Sequence, residues 1–189
     1  MTKNILLIGV GGQGIILTSK ILTAGLAQLG YDVKMSEIHG MSQRGGSVTT
    51  QIRYGKKVGA PNIGDGEADV VIAFEKAEAL RALSYLKPGG VLVMDDREIH
   101  PVSVLTGAAE YPHNAPEALR AAGIDLRVVS AYQKAEALGS AKAQNICLLG
   151  ALVGVLDLPG VDWEALVADM VPQKARDLNL AAFRAGLEL

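Results

Sequence analysis

The residues most able to meet a ligand lie in two glycine-rich stretches of the first third of the chain. In Gly9-Val10-Gly11-Gly12-Gln13-Gly14, the glycines at 9, 11 and 14 carry the spacing of a phosphate-cradling turn between a strand and a helix. Glycine suits such a turn because it adopts backbone angles that other residues resist. It also lets a ligand phosphate approach bare N–H groups at a helix start. Glu37 stands where a dinucleotide-binding protein keeps the acid that bonds a ribose. Taken alone, these residues suggest a stand-alone NAD(P)- or flavin-binding oxidoreductase or regulator of Rossmann type. They are equally consistent with glycines that merely let the first helix pack closely on a sheet. Two departures weigh against the dinucleotide reading: the fingerprint does not require Gly11-Gly12 followed by Gln13, and the segment after Glu37 is itself glycine-rich.

That segment is His39-Gly40-Met41-Ser42-Gln43-Arg44-Gly45-Gly46. It should lie just past the carboxyl end of a strand, the edge where α/β sheets place their ligands. Arg44 among glycines could make paired bonds to an anion or a carboxylate, or could pair internally with an acid such as Glu37. Other candidates are weaker. Gly64-Asp65-Gly66 resembles the magnesium-binding tripeptide of thiamine diphosphate sites, but it precedes a strand instead of following one and reads as a turn. Asp95-Asp96 is an incomplete ligand set for a hard cation and reads as a helix cap or a solvated loop. His39, His100 and His113 show no paired metal-ligand spacing, and no Ser/His/Asp or Cys/His arrangement emerges from their order. No catalytic residue or metal ligand is assigned.

The elements that must hold these stretches follow from periodicity. Ile5–Ile8 is a continuous apolar run, and a helix with Ile15, Ile16, Leu22, Leu26 and Leu29 on one side extends to Gly30. Asp32–Ile38 is a second strand, parallel to the first because a helix connects them. Val48–Tyr54 alternates as a half-buried strand, and Ala68–Phe74 is a buried one. Lys76–Leu86 reads as a helix with Leu80, Leu83 and Leu86 inward, stopped by Lys87-Pro88-Gly89-Gly90 before the strand Val91–Met94. Asn114–Ala122 is a helix ending at Gly123, Leu126–Val129 a last strand, and the remainder helical, with helices at Trp163–Met170 and Ala175–Leu187. Ala143, Cys147, Gly150 and Gly154 fall three or four apart, a stripe of small residues that suits close helix packing. The expectation is a single α/β domain over residues 1–189: three α/β/α layers, a mostly parallel sheet, a Rossmann-like start and a helical C-terminal region.

Composition narrows the function. Eighteen basic against twenty acidic residues leave a net charge of -2, so no positive field exists to hold nucleic acid or an anionic membrane. One cysteine, Cys147, rules out an internal disulfide and an iron–sulfur cluster held by this chain alone. The amino terminus has no signal-peptide pattern and no apolar run is long enough to span a bilayer, so a cytoplasmic protein is expected.

Together the Gly9–Gly14 turn and Ser36-Glu37-Ile38-His39-Gly40-Met41-Ser42-Gln43-Arg44-Gly45-Gly46-Ser47-Val48 resemble the gamma-type small subunits of 2-oxoacid:ferredoxin oxidoreductases. His-Gly-Met-Ser-Gln-Arg-Gly-Gly is most similar to the indolepyruvate, or arylpyruvate, branch, and the likeness extends weakly to Ala143-Gln144-Asn145 and Leu149-Gly150. The resemblance implies oxidative decarboxylation of an arylpyruvate with coenzyme A (CoA), giving an acyl-CoA, carbon dioxide and reduced ferredoxin. It places thiamine diphosphate, magnesium and the 4Fe-4S clusters in a large partner subunit, leaves this chain without a cofactor and inactive alone, and passes electrons to ferredoxin through the complex. On that footing Gly11, Gly12, Gln13 and Gly14, with Gly40, Met41, Ser42, Gln43, Arg44, Gly45 and Gly46, would frame the active-site entrance or contact CoA or the partner. Gln13 and Arg44 would be the polar contacts. A module that scaffolds some other complex is the third possibility.

Overall fold

The computed structural model describes residues 2–40 and 46–189. Six strands form one sheet: β1 (Lys3–Val10), β2 (Asp32–His39), β3 (Ser47–Gly55), β4 (Ala68–Ala73), β5 (Leu86–Asp95) and β6 (Asp125–Val129). Their order across the sheet is β2-β3-β1-β4-β5-β6. β1, β4, β5 and β6 pair in parallel, whereas β3 runs antiparallel to both of its neighbours. The helices are α1 (Ile15–Gln28), α2 (Lys76–Arg81), α3 (Val102–Leu105), α4 (Ala115–Ala121), α5 (Ala131–Ala137), α6 (Gln144–Leu156), α7 (Trp163–Met170) and α8 (Arg176–Leu187).

β1 is buried from Asn4 onward because it is apolar on both faces, as a strand covered from two sides must be. Ile5 and Leu7 enter a large core shared with α1, α5, α6, α7 and α8. Leu6 and Ile8 point the other way into a smaller one, with Ala79 of α2 and Leu119 of α4. These are the expected three layers, with most of the helical mass on one face.

The Rossmann-like start is altered in one respect. β1 and β2 do run in the same direction, but β3 lies between them. The connection from His39 to Ser47 is too short for a crossover, so β3 must return antiparallel beside β2, with His39 opposite Val48 and Asp32 opposite Gly55. Burial decides which strand takes the interior. Thr50, Gln51 and Ile52 of β3 are buried, whereas β2 is only partly covered, carries Lys34 and Glu37 and exposes Ile38. Charge on the outer strand guards the sheet edge against further pairing.

Two local expectations fail. The helix expected to run to Leu86 stops at Arg81, a 3-10 turn covers Leu83–Tyr85, and Leu86 opens β5. Lys87-Pro88-Gly89-Gly90 therefore belongs to the strand. Gly89 has φ +74°, and the pairing with β4 shifts register between Ala68 and Val70, so a bulge absorbs the turn residues. Ile16, expected inward, is exposed at 37%.

The small-residue stripe packs internally. A Cβ on Gly150 would overlap the Phe183 carbonyl, and one on Gly186 would overlap the Cys147 carbonyl, so α6 and α8 meet backbone to backbone. Gly154 of the same stripe has open space. Gly25 of α1 makes a comparable approach, under the Trp163 ring of α7.

Candidate functional site

The two glycine stretches meet at the carboxyl edge of the sheet. Gly11 N donates to Gly46 O at 2.9 Å, and Gly40 N to Ser47 O at 3.1 Å, so the turn after β1 and the base of the loop between β2 and β3 are bonded together. Between them lies a cleft of about 730 Å³, lined by Gly11 to Ile16, His39, Gly40 and Val48. Met41, Ser42, Gln43, Arg44 and Gly45 lie outside the described residues.

The glycines of the turn serve different ends. A Cβ on Gly9 would stand 2.7 Å from Gln13 Oε1 and 2.8 Å from Phe74 Cβ, which makes it a packing glycine. Gly14 caps α1 in the left-handed region, at φ +78°, and a Cβ there would come within 2.6 Å of Asn145 Nδ2. Gly12, at φ +101°, has nothing within 4 Å among the described residues. The amides of Gly12, Gly14, Ile15 and Ile16 have no acceptor among the described residues, so they stand bare at the positive end of a helix of 14 residues. That arrangement suits an anion.

Gln13 lines the cleft, but its side-chain amide is bonded to the backbone. It is 9% exposed; its oxygen accepts Val10 N at 2.7 Å and its nitrogen donates to the Phe74 carbonyl at 2.9 Å. The side chain therefore fixes the shape of the turn and offers a ligand at most a spare N–H. The same Phe74 carbonyl accepts Gln144 Nε2 at 2.9 Å. Gln144 Nε2 also lies 2.7 Å from Asp95 Oδ2, and Asp95 receives the first amides of α5, Ala131 N at 2.9 Å and Tyr132 N at 3.0 Å. Burial raises the Asp95 carboxyl to about 6, against the lowering effect of these bonds. Its expected capping role holds, although the helix it caps starts 35 residues later than Asp96. Asn145 closes the other side, donating to Gly14 O at 3.2 Å while its carbonyl accepts Thr18 Oγ1 at 3.1 Å.

Two buried acids complete the edge. Glu75 caps α2 by accepting Glu78 N, and also accepts the Tyr111 hydroxyl at 2.5 Å. Glu78 accepts Ser47 Oγ at 2.5 Å and pairs with Arg81; burial raises its carboxyl, partly offset by Ser47 and Arg81. Ser47 follows the glycine loop, so Glu78 anchors that loop from the opposite face of the sheet. Nothing in the sequence paired Glu75 with Tyr111, Glu78 with Ser47 or Asp95 with Gln144, because each of these pairs is brought together only by the fold.

The remaining candidates sort clearly. Gly64-Asp65-Gly66 is an exposed turn with Gly66 at φ +72°. Asp96 pairs with Lys76 at 2.8 Å. Cys147 is fully buried and burial pushes its thiol up to about 12, leaving it inert at neutral pH. The dinucleotide reading fails on topology. With β3 interposed, Glu37 stands two strand spacings from β1, roughly 10 Å, where a ribose acid must sit on the neighbouring strand. Glu37 instead faces His39, 3.6 Å away. His100 and His113, whose spacing suggested nothing, come together around Glu98. No helix among the described residues is long and apolar enough to cross a membrane.

Known proteins share this arrangement over nearly the whole chain. It is 40% identical to the indolepyruvate oxidoreductase subunit IorB of Archaeoglobus fulgidus, across 98% of this chain and 94% of that one. It is 37% identical to the subunit of the same name from Pyrococcus horikoshii, with the same coverage. Among solved structures, the gamma subunit of a keto/oxoacid ferredoxin oxidoreductase from Geobacter sulfurreducens superposes with a TM-score of 0.71 at 25% identity, covering 98% of this chain and 96% of that one. The pyruvate ferredoxin/flavodoxin oxidoreductase family matches residues 4–189. A split βαβ start, a glycine turn bonded to a second glycine loop, and relatives at this identity over this span leave one conclusion: the chain belongs to the pyruvate ferredoxin/flavodoxin oxidoreductase family.

Proposed function

We propose that this chain is the small subunit of an indolepyruvate-type 2-oxoacid:ferredoxin oxidoreductase, one domain over its whole length, and that its glycine cleft receives a phosphate of CoA. The complex converts an arylpyruvate and CoA to an aryl-acetyl-CoA and carbon dioxide and passes the electrons to ferredoxin. Thiamine diphosphate with magnesium, which stabilises the decarboxylated carbon, and the 4Fe-4S clusters reside in the large partner subunit. One buried cysteine gives this chain no set of thiolates with which to hold a cluster.

The observation that carries the proposal is the amino terminus of α1, where the amides of Gly12, Gly14, Ile15 and Ile16, all residues of the cleft lining, have no acceptor among the described residues. A phosphate there accepts backbone N–H bonds and lies in the favourable field of the helix. Gly12 leaves the approach open, and Arg44 of the neighbouring loop supplies the charge. Gln13 and Glu78 keep turn and loop in shape. On the same reading Met41, Ser42, Gln43, Gly45 and Gly46 serve contact with CoA or the partner.

The test is reconstitution with the large subunit, following ferredoxin reduction that depends on both arylpyruvate and CoA. Neither chain alone should turn over. In Arg44→Ala the KM for CoA should rise about 10- to 100-fold, the loss of a charge-assisted hydrogen bond, while assembly persists. Unchanged CoA affinity in an intact complex removes the phosphate role. Equilibrium binding of NAD, NADP or flavin to the isolated chain would overturn the whole assignment.

A further inference from the structure

Two strands along the same sheet edge from the glycine turn, beyond β5, three side chains converge that the sequence spreads over residues 98–113. Glu98 Oε2 lies 2.8 Å from His113 Nδ1 and 3.6 Å from His100 Nε2, and one ligand atom from each residue falls within 4.8 Å of the others. Metal–ligand bonds of about 2.0–2.1 Å in a tetrahedron put neighbouring donors roughly 3.3 Å apart, between the two measured separations. Small rotations of the exposed imidazoles close the third.

The surroundings hold these groups in place. Glu98 divides its oxygens: Oε1 accepts Lys76 Nζ at 3.0 Å, and Oε2 is left to the histidines. Lys76 is itself fixed by Asp96, so the carboxylate is oriented from behind as a ligand needs to be. Tyr111 supplies a platform. It is buried, its hydroxyl is tied to Glu75 and to the amide of Ala77, and its ring lies 4.9 Å from that of His100 and 5.2 Å from that of His113. The two imidazoles meet edge to face, at 5.9 Å.

We propose that Glu98, His100 and His113 bind a divalent first-row transition ion of the Zn²⁺ or Co²⁺ class, which clips residues 101–112 onto the sheet edge. Two imidazoles and a carboxylate are the donor set such ions prefer, and solvent access leaves a coordination position for water. The clip has a physical purpose. Residues 101–112 leave the sheet and return, carrying α3 with Val102 75% and Leu105 70% exposed. Joining His100 to His113 through an ion closes that excursion and reduces the freedom of its open forms. Nothing in this inference depends on what the glycine cleft binds.

The experiment uses the untagged, metal-free, full-length chain. Titration with Co²⁺ should give visible d–d absorption saturating at roughly one equivalent, displaced by Zn²⁺. His100→Ala and His113→Ala should each weaken binding by more than about 100-fold, since even outer-shell changes cost 10- to 100-fold. His39→Gln, at the remaining histidine, should leave it unchanged. Zn²⁺ should slow amide exchange over residues 101–112 in the parent and not in His113→Ala. Both imidazoles are exposed, so the variants should melt with the parent, which separates lost ligation from lost fold. Absence of saturable binding, or binding that survives in the His100→Ala/His113→Ala double variant, overturns the proposal and leaves Glu98 as a charge partner of Lys76.

Discussion

The glycines at the sheet edge and those between α6 and α8 are the same residue put to opposite uses. Gly150 and Gly186 remove side chains so that two helix backbones can touch, and no space remains between them. Gly12 removes a side chain on the lining of a cleft, where none of the described residues stands within 4 Å. A glycine in a motif therefore carries no function until its surroundings are known. The helical half is sealed and the turn is accessible, and each should respond to substitution accordingly.

The largest effect belongs to the sealed side. Gly186→Ala drives a methyl group into the Cys147 carbonyl, backbone against backbone, where no rotamer change gives relief. It should cost about 3 kcal/mol or more in urea unfolding, and a variant of parental stability would show that α6 and α8 can part cheaply. Asp95, which ties β5 to α5 and α6, comes next. Its carboxyl rises from an ordinary 3.8 to about 6 in the fold, so the folded state holds the proton more tightly than the unfolded one. Its contribution is complete below about pH 4 and declines as pH rises through about 6. Asp95→Asn does not titrate. The stability of the parent minus that of Asp95→Asn should accordingly fall by about 2 kcal/mol from pH 4 to pH 7, and a flat difference would contradict the burial argument. The accessible side should lose least. Gly12→Ala forces a methyl-bearing residue into φ +101° but meets none of the described residues, so unfolding should cost only about 1–2 kcal/mol while the KM for CoA rises in the reconstituted complex. A larger stability loss than for Gly186→Ala would reverse the comparison.

Local pattern made much of this legible. β1, α1, β4, α4, β6 and α7 fall where periodicity and glycine stops put them, because each is decided by its own residues. β5 does not, since a register shift against β4 overrides the Pro-Gly-Gly signal, and register belongs to two strands at once. The place of β3 between β1 and β2 was equally invisible: it depends on which strand is apolar on both faces once helices cover the sheet. The site divides along the same line. Gly11 to Gly14 and the flanks of the second loop were marked by composition and adjacency. Gln13 was marked too, but as an outward contact, because residue type does not reveal that its amide is spent on Val10 and Phe74. Asp95 with Gln144, and Glu98 with His100 and His113, needed the folded sheet edge to meet at all.

Phe74, just past β4, has a carbonyl that takes both Gln13 and Gln144, which fills its two lone pairs. The start of α1 and the start of α6 thus hang from a single oxygen atom. An anion that tugged the glycine turn outward would loosen one of those bonds, and the slack would appear at Gln144, then at Asp95, on the far side of the central strands. The glycine turn and the helical block share this one acceptor atom.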